Sequence, residues 1–298
     1  MKSLKKRITA TILVVALLTV CFGGCGKKAK TTITIGSKPI TESYIMGEMA
    51  ALLLEDAGFD VDREYGLGSS SLAHEALRNH DIDLYLEYNG TALVAFFGKD
   101  AITDSEECNK VVKDEYEKIG ITPLEPIGFN NTYCITVTSE FSEANNVKTI
   151  SDLAKIADTL TIGSAQEFIP REDGLHGLEE TYGFTFGKTI GMDPGLMYEA
   201  LGKGDVDCCS GFATDGQIGA NNYVNLEDDK QFFPPYDAMY VVDSDVLSEN
   251  PDIEKVLNKL AGQIDDKTMS ELNYRVDNGG EEYDEVAKDF LKSNGYIE

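Results

Sequence analysis

DIDLYLEYNGTAL, Asp81 to Leu93, is the stretch on which the reading of the fold turns. Apart from Asp83 and Glu87, Ile82 to Tyr88 is apolar or tyrosine, and Asn89-Gly90 follows, so a short buried strand ends in a turn and leads into a helix. Tyr88 at the strand end and Thr91 just past the turn raise two readings. Asn89-Gly90-Thr91 fits a glycosylation acceptor, as does Asn130-Asn131-Thr132. The other reading is a binding loop that presents Tyr88 and Thr91 to a ligand.

Outward from this stretch the same grammar repeats. TITIGS (Thr32–Ser37), ITESYIMGEMAALLLEDAG (Ile40–Gly58), VDREYGLG (Val61–Gly68) and SSSLAHEALRNHD (Ser69–Asp81) alternate short apolar runs with helical periods. This alternation predicts an α/β fold with a largely parallel sheet. A second block begins at YCITVTSEF (Tyr133–Phe141) and runs through TLTIGSA to FATDG, repeating the pattern. The chain therefore reads as two α/β lobes. FFPPYDAMYVVDSDV (Phe232–Val246) resembles a strand returning to the first lobe, and NPDIEKVLNKLAGQI (Asn250–Ile264) a helix packing on it. The expected partition is 32–130 with 234–298 in lobe one and 131–233 in lobe two. Ligands in such sheets bind beyond the carboxyl ends of strands, which directs attention to TITIGSK, LYLEYNGT and TLTIGSA.

The first residues carry Lys2, Lys5, Lys6 and Arg7, then an apolar run from Ile8 to Val20 and small residues. The run is too short for a membrane span and fits a signal peptide over residues 1–24. Phe22-Gly23-Gly24-Cys25 resembles a bacterial lipoprotein processing site, with Phe22 in place of the usual leucine. Cys25 is then the lipidation site and residues 25–31 a tether on the extracytoplasmic face of the membrane. Removing residues 1–24 takes away four positive charges, so the net charge falls from -26 to -30. Nucleic acid is excluded as a partner, because its recognition needs a basic footprint. Anionic lipid offers no attraction either, so a lipid on Cys25 has to supply the anchorage.

Cys108, Cys134, Cys208 and Cys209 have spacings that do not form a disulfide framework, and they read as small core residues. His74, His80 and His176 show no ligand spacing with them, so no metal is expected. No P-loop, nucleophile elbow or dinucleotide fingerprint stands in its proper context, so neither a cofactor nor an enzymatic activity is expected. Ser69-Ser70-Ser71 before His74 admits a nucleophile and base, but a helix N-cap is the simpler reading.

Four blocks, ITIGSKPITESYIMGEMAALLLEDAG, LGSSSLAHEALRNHDIDLYLEYNGTAL, EFIPREDGLHGLEETYG and MDPGLMYEALGKGDVDCCSGFATDGQI, resemble in order the solute-binding proteins of osmoprotectant ABC transporters. The resemblance spans the mature chain and implies the type II periplasmic-binding-protein fold, with the ligand cleft between two lobes. It implies capture of glycine betaine, choline or carnitine and delivery to a permease driven by a separate ATPase. An aromatic cage suits a trimethylammonium group, which has no N–H to donate and gains from π faces that exclude water. Matched position by position, the cage is Tyr88, Tyr133, Phe212 and Tyr236. Phe212 stands where the family commonly has tyrosine, and Asn131 where some relatives have aspartate. Lys38, Thr91 and Arg171 match positions that hold a ligand carboxylate, which favours glycine betaine over choline. Taken alone, Arg171 reads as a surface residue paired with Glu172 or Asp173. An exported hydrolase on the same scaffold is the alternative from another class.

Overall fold

A computed structural model describes residues 31–298, in which the chain builds two five-stranded sheets. In chain order the strands are β1 (Thr32–Gly36), β2 (Asp60–Glu64), β3 (Leu84–Tyr88), β4 (Ile121–Pro123), β5 (Tyr133–Thr138), β6 (Thr161–Ala165), β7 (Lys188–Met192), β8 (Cys208–Phe212), β9 (Tyr223–Asn225) and β10 (Ala238–Asp243). The expected signal peptide, Cys21 and the lipid site Cys25 lie outside the described residues.

The first sheet has the order β2-β1-β3-β10-β4, and the second β7-β6-β8-β5-β9. β1 runs parallel to β2 and β3, whereas β10 is antiparallel to β3 and β4. In the second sheet β6 is parallel to β7 and β8, while β5 is antiparallel to β8 and β9. Each sheet therefore has four strands running one way, as the largely parallel expectation has it, and one reversed strand, β10 in the first and β5 in the second. The reason is connectivity: parallel neighbours are joined through helical crossovers, but β5 and β10 each arrive from the other sheet, and such an arrival leaves the direction free.

The stretch read first folds as β3, whose five side chains are all buried. A strand covered on both faces carries apolar residues almost throughout, and here the exception, Glu87, needs a partner inside. The helix Thr41–Asp56 lies against this sheet and buries residues on every side, because the helices Asp266–Asp277 and Tyr283–Ser293 cover its outer face. Asn89–Thr91 forms the helical turn that follows β3. Asn89 is fully buried, accepting from the Asp237 N–H at 2.9 Å and donating to Asp237 Oδ2 at 3.0 Å. That burial removes it as a glycosylation acceptor.

The chain passes between the sheets twice, after β4 and before β10, and the two passages run side by side. An antiparallel bridge joins Asn130 to Asp237, and the Asn131 N–H donates to the Tyr236 carbonyl at 3.1 Å. Ser69 caps the helix Ser70–Arg78 by accepting from the Leu72 N–H. The four cysteines within the described residues are buried and unpaired, and burial pushes the Cys108 and Cys134 thiols up to about 12.

Candidate ligand-binding site

Where the paired passages meet the ends of β5 and β8, aromatic rings gather. Antiparallel register sets Tyr133 opposite Phe212, with ring centroids 4.8 Å apart. Tyr236, on the returning passage, turns its ring edge-on to Tyr133 at 5.5 Å and 88°. Phe168 at 4.7 Å and Phe233 at 6.1 Å complete the group around Tyr133. Sequence reasoning missed both phenylalanines, although Phe168 stands three residues before Arg171 in the EFIPRED block.

Arg171 lies over Tyr133, its guanidinium carbon 5.8 Å from the ring centroid. Its fork is taken up by Asp173, with Nε to Oδ1 at 2.7 Å and a second bond from the other nitrogen to Oδ2. Tyr236 also donates its hydroxyl to Asp173 Oδ2, at 2.9 Å. Burial works against the Asp173 carboxylate, yet Arg171 and Tyr236 hold its pKa below the usual range. The pairing with Asp173, weighed above for Arg171 taken alone, thus coexists with a place beside the rings. The loop is tight: a side chain on Gly174 would place its Cβ 2.2 Å from the Phe168 carbonyl oxygen.

Tyr88 belongs to a second, polar group. Its hydroxyl donates to Glu42, which also accepts from Thr214 Oγ1 at 2.6 Å, Asn131 Nδ2 at 3.0 Å and Asn273 Nδ2 at 3.3 Å. Glu42 is buried, and desolvation raises its pKa against the pull of these bonds. Lys38 is buried as well, donating to Glu87 Oε1 at 2.7 Å while its Nζ sits 4.0 Å from the Tyr88 ring centroid. One face of Tyr88 is therefore already covered by an internal cation. Glu87 further accepts from Tyr85 at 3.0 Å, which satisfies the carboxylate that β3 carries inside.

Of the residues singled out by sequence, Tyr133, Phe212, Tyr236 and Arg171 come together in the aromatic group, and Tyr88, Lys38 and Asn131 in the polar one. The groups touch through the backbone bond from Asn131 to Tyr236 and through Gly90, where a Cβ would sit 3.1 Å from the Tyr236 ring. Thr91 is partly exposed on the turn after β3. Among the described residues no ring contact links Tyr88 to the other three. Glu42 and Thr214 were not singled out, and Asp173 only as a surface partner of Arg171, because a carboxylate or hydroxyl in an acidic chain carries little signal until the fold gives it partners.

The serine and histidine tested as nucleophile and base have other roles: Ser69 is a cap, and the His74 ring stacks on Phe96 at 4.1 Å. Away from the rings, Glu172, His176 and Glu180 could offer ligand atoms to a metal within 4.8 Å of one another. All three are exposed, and such clusters are common in a chain this acidic.

Residues 31–293 match the family described as OpuAC, the substrate binding domain of ABC-type glycine betaine transport systems. A carnitine transport binding protein of Listeria monocytogenes is 36% identical, covering 99% of both chains. A glycine-betaine-binding protein of Pseudomonas aeruginosa is 33% identical over 96% of each. The solved structure of a glycine betaine/carnitine/choline ABC transporter component, 35% identical, superposes with a TM-score of 0.84 over 89% of this chain and all of that one.

Proposed function

Because the chain belongs to the family of substrate-binding domains of ABC-type glycine betaine transporters, we propose that it captures a quaternary ammonium osmoprotectant among Tyr88, Tyr133, Phe212 and Tyr236. The protein is an osmoprotectant-binding protein of an ABC transporter with the two-lobe type II fold. The observation that carries the site assignment is the gathering of Tyr133, Phe212 and Tyr236 where the β5 and β8 ends meet the returning passage. Rings so grouped can offer a trimethylammonium head several π faces, each contributing on the order of 0.5 to 2 kcal/mol.

In this reading residues 32–130 and 234–298 form one lobe and 131–233 the other. Ligand enters between them, and contacts made only when the lobes meet favour closure. The hydrogen bonds that Glu42 accepts from Thr214 and Asn131, across this partition, are contacts of that kind. The closed form docks on a permease whose separate ATPase supplies the energy. A lipid on Cys25 keeps the protein at the extracytoplasmic membrane face; no helix among the described residues is long and apolar enough to cross a membrane. The protein acts as a carrier, not a catalyst.

Calorimetric titration of the chain from Cys25 onward with glycine betaine, choline and carnitine tests this. Saturable binding of at least one is expected, with loss in Tyr133→Ala. If none binds, the proposal fails; turnover of a betaine ester would instead support the hydrolase.

A further inference from the structure

The site's positive charges are already spoken for. Lys38 is paired with Glu87 at 2.7 Å, and Arg171 is bidentate on Asp173. Glu42 differs, because its hydrogen-bond donors are a phenol, an alcohol and two amides, all neutral. No salt bridge to Glu42 occurs among the described residues. Nearby, Asp215 is likewise held by neutral donors, the Tyr198 hydroxyl at 2.6 Å and the Phe212 N–H at 3.0 Å. Neither carboxyl has a cation partner among the described residues, and burial pushes the pKa of both up, so a positive charge arriving beside them favours their ionised form.

A second, independent observation concerns Asn131. Its Nδ2 donates to Glu42, which fixes the amide orientation and turns Oδ1 the other way. That oxygen is buried and has no hydrogen-bond partner among the described residues, and the same is true of Asn273 Oδ1. A buried acceptor without a donor is costly, and a ligand hydroxyl relieves it.

We propose that Glu42 sets the charge selectivity of the site, so that a hydroxylated quaternary ammonium cation of the choline class binds more tightly than a zwitterionic betaine. Such a cation brings positive charge to the uncompensated carboxylate and an O–H for the Asn131 acceptor. A betaine brings a second carboxylate that must compete with Glu87 or Asp173 for a cation, and it has no donor to offer. This reverses the preference for glycine betaine that the presence of Lys38 and Arg171 suggested, because the structure shows both cations neutralised. The inference rests on the quaternary ammonium reading of the site.

The test is the ratio of choline to glycine betaine affinity, measured by calorimetry in wild type, in Glu42→Gln, and in Glu42→Met as a second uncharged variant. Each variant is first shown to be folded by its circular dichroism melt. Wild type is expected to favour choline, and the ratio to fall at least about fivefold in either folded variant, since removing a buried charge weakens attraction for a cation more than for a neutral zwitterion. If Glu42 only held Tyr88 in place, both ligands would weaken equally and the ratio would not move; that result, or a wild-type preference for betaine, overturns the proposal. Absence of binding by both ligands in wild type would count against the quaternary ammonium reading itself.

Discussion

Tyr236 separates what a ring contributes from what a hydroxyl contributes. Tyr236→Phe deletes only the 2.9 Å bond to Asp173, while Asp173 keeps both bonds from Arg171. A hydrogen bond to a charged group contributes about 1.5–3 kcal/mol, so the melting temperature falls while the π face remains. Ligand affinity should then change less than about threefold, under 0.7 kcal/mol. Tyr236→Ala also removes the ring, which is 5% exposed and packs on Tyr133 and the Gly90 turn. Truncating a buried aromatic costs about 3–5 kcal/mol of stability. The lost cation–π contact, about 0.5–2 kcal/mol, weakens binding by roughly 2- to 30-fold, with about tenfold expected for a desolvated ring. Calorimetry on folded protein, with melts run in parallel, reads both quantities. Unchanged affinity in Tyr236→Ala removes Tyr236 from the site. Equal losses in the phenylalanine and alanine variants would mean that the hydroxyl, not the ring, makes the contact.

Two further outcomes follow from local geometry. Gly90→Ala places a methyl 2.4 Å from the Pro235 carbonyl oxygen and against the Tyr236 ring, so it should lower stability by about 1–3 kcal/mol and weaken ligand binding. Gly219→Ala, whose Cβ meets nothing within 4 Å, is the control and should leave both unchanged or slightly improved. At the far end of the first sheet, the Asp243 carboxylate beside His80 raises the imidazole pKa. A raised histidine pKa stabilises fully below the unfolded value of about 6.5 and is lost as pH rises through the folded one. The melting temperature should therefore decline as pH rises above about 6.5. His80→Asn, which tolerates the φ of 61°, should flatten that part of the decline, and an identical pH profile would contradict it.

Much of this architecture was legible locally. The apolar run ending in Tyr88-Asn89-Gly90 signalled a buried strand and a turn, and Ser69 ahead of a helical period signalled a cap. Periodicity says what is buried but not which way a strand runs, so the antiparallel insertion of β5 and β10 was hidden. The centre of the polar group was hidden for a different reason. Glu42 and Thr214 are 172 residues apart, and only the folded chain brings them together. Lys38 and Arg171 were legible as cations, yet whether a cation is free for a ligand depends on Glu87 and Asp173, which look like any other carboxylate in an acidic sequence.

The position of the ligand's head group decides whether these rings form the site. A crystal structure of the chain grown with choline or glycine betaine measures this directly. The trimethylammonium group is expected to be enclosed by Tyr133, Phe212 and Tyr236, with Tyr88 as the remaining wall. A head group bound elsewhere, or those rings packed only on one another with ligand outside them, would contradict it.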